Sequence, residues 1–134
     1  MLASGVDTLR LTLHVLAASV WVGGQIVMLG LVGPSRAFGP DAPRALAGAF
    51  ARLAWPAYAV LILTGFWNIS TFHWAAQTGA WKAVLIVKIV VVALAGLATL
   101  LHSHASSRTA LALWGSVAGL ASVAALTMGV LLAG

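Results

Sequence analysis

At 134 residues, 62% hydrophobic and only 7% charged, with a mean hydropathy of +1.06, the chain is too apolar to cover a soluble surface and reads as one membrane domain. Its formal charge of +5 sets seven Lys and Arg against Asp7 and Asp41. Those cations are scattered at the ends of apolar runs, which argues for membrane topology and against a nucleic-acid partner. The absence of cysteine removes disulfides, thiolate metal sites and cysteine nucleophiles together.

Four apolar runs are long enough to cross a bilayer, and they predict helices over residues 9–32, 53–71, 81–101 and 109–133. The first apolar run is too long, and too poor in basic residues before it, for a cleavable signal peptide. Gly33-Pro34 is expected to break the first helix. The connection that follows, residues 35–52, carries Pro40, Pro43 and three arginines. Pro56 falls in the first turn of the second predicted helix, where a missing N–H does little harm. A short polar loop over 73–79 leads to the third helix, and the HSHASSR segment, 102–108, leads to the fourth. Short connections make an all-α, antiparallel four-helix bundle integral to the membrane the expected fold. Arg36, Arg44, Arg52 and Arg108 lie on loops one and three, against Arg10 and Lys82 on the other side. The positive-inside rule then predicts loops one and three in the cytoplasm and both termini outside, in a bacterial inner or plasma membrane.

Two ionisable residues, His14 and Lys88, stand inside these spans. An ionised side chain costs roughly 3 kcal/mol or more at the bilayer centre, so each is a candidate functional residue. Counting depth at about 1.5 Å per residue puts His14 about 8 Å and Lys88 about 10 Å from the same membrane face. The antiparallel second and fourth spans bring Thr64, Asn68, Thr127 and Met128 to a similar level. All four helices are therefore expected to supply a polar or soft group to one layer near the outer face. His14, Trp21 and Met28 are spaced by seven, Gln25 is four from Trp21, and Trp81, Lys88, Ala95 and His102 are again spaced by seven, so each stripe can face the bundle interior.

Each feature has a plain structural counterpart. An intramembrane histidine often serves only as a hydrogen-bonding group between helices. Thr64 is expected to bond its own helix carbonyl, and Met128 to pack. Lys88 is harder to dismiss, because a cation so deep must snorkel, pair or give up its proton. Gly115 and Gly119 form a GxxxG pattern, and Gly23-Gly24 thins the first span. Both suit close helix contact, within the bundle or in a homodimer. Trp55, Trp67, Trp74 and Trp81 read as interfacial anchors. His102 and His104 form an HxH at the cytoplasmic edge, short of a third metal ligand, and His73 lies on the outer loop.

Three stretches resemble a known family. LHVLAASVWVGGQI (13–26), FARLAWPAYAVLILTGFWNI (50–69) and GAWKAVLIVKIVVVAL (79–94) are similar to the first three helices of the copper-resistance-D (CopD-like) membrane domain, including the Thr64-Gly65 pair and Lys88. The resemblance extends more distantly to the HemJ-type four-helix haem b proteins, which are protoporphyrinogen oxidases. It implies His14 as a haem ligand and Lys88 as a second ligand or charge partner. The HemJ-type first helix has a different aromatic and arginine pattern after its histidine, which argues against porphyrinogen oxidation itself.

Three functions follow as expectations. The first is a haem b membrane protein with iron on His14, Trp21 packed on the porphyrin, and Lys88, Asn68 and Thr64 supplying a second ligand, a propionate partner or hydrogen bonds, serving electron transfer, redox sensing or porphyrin-linked oxidation. The second is a copper permease, with a route from His73 past His14, Met128 and Met28 to His102 and His104. Cu(I) prefers thiolates, thioethers and imidazoles, yet the chain has no Cys and three Met, and Lys88 would oppose a passing cation. The third is a non-catalytic subunit of a larger membrane complex, in which the polar layer is structural.

Overall fold

The computed structural model describes residues 4–134, so Met1, one of the three methionines weighed for copper, lies outside the described residues. The chain is all-α, with no strand among those residues. Four helical stretches, Gly5–Phe38, Ala42–Ser70, Gly79–His104 and Arg108–Ala133, are each long and apolar enough to cross a membrane. This is the element set of a four-helix membrane bundle. They gather into two compact units, one ending at Phe72 and the other beginning at His73, and each is a helical hairpin.

In the first hairpin, α1 (Gly5–Ala18) begins at Ser4, whose hydroxyl accepts from the Asp7 N–H at 3.2 Å and donates to the Asp7 carboxylate at 2.6 Å. Pairing an N-cap with an acid in the first turn satisfies orphan N–H groups and suits the helix dipole. A π-helical turn, Ser19–Gly23, joins α1 to α2 (Gly24–Ser35), and a short 3₁₀ turn, Arg36–Phe38, ends the span. Helix α3 (Ala42–Ser70) returns antiparallel to it.

Two predicted boundaries are corrected here. The first span passes through Gly33-Pro34. Pro34 lies in the last turn of α2, where it removes a single backbone bond close to an end that has unsatisfied groups anyway. The stop is Gly39, whose φ of 129° is a conformation that side-chain-bearing residues rarely adopt. The second correction is larger. Residues 42–52, expected to be loop, are the first three turns of α3. Pro43 stands at the helix start, where its fixed φ suits the first turn, and five alanines between 42 and 51 supply strong helix propensity. Pro56 is consequently well inside α3, where it deprives the Arg52 carbonyl of its usual partner.

The core of this hairpin gathers at the π turn. The extra residue of a π turn rotates the following side chains, and Trp21 and Val22 are both buried against Ala54 with Phe50, Trp55, Tyr58 and Leu61 around them. Gly24 lets the Phe50 ring approach closely, because a Cβ there would overlap the ring edge and force it to shift.

The second hairpin is α4 (Gly79–His104) and α5 (Arg108–Ala133), with N-caps at Thr78 and Ser107. Its ends are tied: the Trp81 indole N–H donates to the Leu132 carbonyl at 3.3 Å, and His102 Nδ1 lies 2.9 Å from the Leu111 carbonyl. Small buried residues, Ala95, Gly96 and Ala98 on α4 and Ala118, Ala121 and Ser122 on α5, let the two helices approach closely.

Candidate functional site

Helices α1 and α3 carry a two-rung polar ladder inside an otherwise apolar hairpin. On the inner rung, His14 Nδ1 lies 2.7 Å from Thr64 Oγ1, and Thr64 is buried. The Thr64 hydroxyl is also 2.6 Å from the Val60 carbonyl, one turn back on its own helix. A carbonyl cannot donate, so the single hydroxyl proton goes to Val60. Thr64 must then accept from His14, which places a proton on the imidazole Nδ1. The ring lies over Gly65, where even an added Cβ would stay at ordinary van der Waals distance, 3.8 Å, from His14 Cε1.

The outer rung is one helical turn away on both helices. Arg10, four residues before His14, donates through Nη1 to Asn68 Oδ1, four residues after Thr64. Its Nη2 donates to Asp7 Oδ1 at 2.9 Å. Arg10 is only 7% exposed, and its Nε is buried with no hydrogen-bond partner among the described residues. An unsatisfied buried donor costs about 1–3 kcal/mol, more when charged, so this guanidinium is a costly feature.

Sequence reasoning counted Arg10 as a topology charge and missed this role. The signal was its position four before His14 and three after Asp7, the two spacings that share a helix face. Asn68, expected near the histidine, bonds Arg10 instead.

Among the aromatic residues, Trp55 departs from expectation. Trp21 is 3% exposed and packs with Tyr58, ring centroids 4.5 Å apart, and edge-on with Trp55 at 5.7 Å. Trp55 and Tyr58 complete the trio at 5.9 Å. Trp55 is therefore a packing residue, because the early start of α3 moves it from a span end to the interior of the helix. Trp74 remains an end residue, with Lys82 Nζ 5.6 Å from its ring centre.

In the second hairpin, Lys88 is half-buried and lies across Gly129, where a Cβ would come within 3.1 Å of Nζ. Within this hairpin, and among the described residues, Nζ has no hydrogen-bonding or charged partner. The antiparallel register thus sets Lys88 level with Gly129 and its half-buried neighbour Met128, as depth counting expects. Thr127 is exposed, with its hydroxyl on the Val123 carbonyl, and does not face the hairpin interior.

His102 and His104 belong to the last turn of α4 and not to a loop. Each presents Nδ1 to a carbonyl, Leu111 for His102 and Leu100 for His104, both at 2.9 Å. Residues two apart on a helix point in roughly opposite directions, which is poor geometry for chelating one ion. Gly115 makes room for the His102 ring, with a Cβ position 3.1 Å from it, while nothing lies within 4 Å of Gly119. His73 is exposed beside the short turn Trp74–Ala76. No group of three His, Asp or Glu side chains suited to a metal ion occurs among the described residues.

Compared with models of protein families, with curated proteins and with solved structures, the chain matches none.

Proposed function

We propose that the protein is an integral membrane haem b protein whose iron is held by His14 Nε2, and that it serves redox or electron-transfer chemistry. The single observation that carries this reading is the Val60–Thr64–His14 relay. Metal-ligating histidines characteristically donate the other ring N–H to a fixed acceptor, which sets the tautomer and raises the basicity of the ligating nitrogen. A histidine serving only to staple two helices does not need that polarised arrangement.

The donor chemistry suits haem better than a bare ion. A copper site assembles several imidazole or sulfur ligands, whereas a porphyrin brings four nitrogens of its own and asks the protein for one axial group. Bound haem would supply one-electron chemistry. The residues of the chain would hold the imidazole proton on Nδ1, exclude water with the apolar walls of α1 and α3, and keep the ring orientation fixed through Thr64. Lys88, half-buried across Gly129 in the second hairpin, is proposed to carry a functional charge of its own.

Topology follows from the revised charge map. With Arg10 buried, the exposed cations are Arg36, Arg44, Arg52 and Arg108 on one side, against only the half-buried Lys82 at the other. Loops one and three are accordingly assigned to the cytoplasm.

The test is to express the chain with ample haem and copper, purify it, and assay both. The reading expects stoichiometric haem b without stoichiometric copper. Stoichiometric copper and no haem would overturn it in favour of copper handling.

A further inference from the structure

The outer rung holds more donors than it spends. Arg10 gives Nη1 to Asn68 and Nη2 to Asp7, which leaves Nε–H buried without an acceptor among the described residues. Because the guanidinium can only donate, Asn68 must turn its Oδ1 toward it, and its Nδ2 amide hydrogens point elsewhere. That amide makes no hydrogen bond among the described residues. Two donors on facing helices, one charged and one neutral, thus await an acceptor about 6 Å along the helix axis from the His14–Thr64 rung.

A leucine pair would avoid the desolvation of the guanidinium, and a second acid would satisfy Nε. Unspent donors around a nine-tenths-buried arginine are the features of an oxyanion site, and Arg is the side chain best matched to a carboxylate. The position of the rung supplies the rest. It lies between the histidine and the end of α1, so a planar ligand anchored at His14 would meet it with the edge turned toward the membrane surface. Haem b carries its two propionate carboxylates on one edge.

We propose that Arg10 and Asn68 form a carboxylate-binding rung that takes a propionate of the haem held at His14. The inference rests on the haem reading and deepens it. Asp7, with a side chain 44% exposed, holds the far side of the guanidinium and keeps it oriented.

The experiment is a titration of purified protein in neutral detergent with haem b and with its dimethyl ester, in which both propionates are masked. Wild type is expected to bind the ester about tenfold more weakly, the scale of one charge-assisted hydrogen bond. Asn68→Asp keeps an acceptor for Arg10 but replaces the amide donors with a negative charge. It is expected to lose affinity for haem b while leaving affinity for the ester nearly unchanged. Arg10→Gln is expected to make the two porphyrins bind equally. Equal binding of acid and ester by wild type, with a spectrum that still depends on His14, would overturn the carboxylate rung alone. Failure of wild type to bind either porphyrin would overturn the haem reading and this inference with it.

Discussion

Thr64 decides how His14 behaves. Its hydroxyl proton is committed to Val60, so its lone pair is the acceptor that keeps the imidazole proton on Nδ1. Thr64→Val conserves shape and removes that acceptor. If haem is held at His14 as proposed, its affinity should fall about tenfold, the lower end of what second partners of metal-bound histidines contribute. Helix content by circular dichroism should not change, and an unaltered binding curve would show that the hydroxyl does nothing for the ligand. The back-bond of Thr64 was legible in the sequence, because a threonine four residues from a carbonyl within a helix has few alternatives. The buried role of Arg10 was not. An arginine near a span end resembles an interfacial cation until the partner helix brings Asn68 against it.

Between helices, glycines set which side chains can be accommodated. His14 lies over Gly65, Phe50 over Gly24, His102 over Gly115 and Lys88 over Gly129. In the last three pairs a large or polar group occupies the volume that the glycine gives up, whereas Gly65 would leave a Cβ at ordinary contact distance from His14. Gly24→Ala should destabilise the first hairpin by about 1–3 kcal/mol, the usual cost of overpacking, as read by denaturant titration in detergent. Phe50→Leu should recover much of that loss, since the clash is with the ring edge. A fully stable Gly24→Ala protein would mean that α2 and α3 are not held by this contact. The length of α3 was misread for a definable reason: Pro43 and three arginines resemble a loop, whereas a proline at a helix start and an alanine-rich first segment make one. The π turn left no signal, because its extra residue is accommodated by burial of Trp21 and Val22 and not by any special residue type.

Across the chain, hydropathy alone revealed four membrane-length helices and the all-α class, since backbone groups in lipid must be bonded within the chain. The candidate site was only half legible. Residues within one helix can be compared by spacing, but pairings such as Arg10 with Asn68 depend on the register between helices. The absence of cysteine gives a clean background for testing topology. Gln77→Cys should react with a membrane-impermeant maleimide in intact cells, and Ala105→Cys only after lysis. The reverse pattern would invert the proposed orientation and place the His14 end of α1 on the cytoplasmic side.

The proposed role of His14 as a haem ligand is tested by the absorption spectrum of wild type and His14→Ala, each purified and saturated with haem b under the same conditions. Wild type should retain a sharp Soret band of histidine-ligated haem through gel filtration, and His14→Ala should lose it while remaining folded. The same band in both proteins, or haem that washes out of the wild type, would contradict the assignment of His14 as the axial ligand.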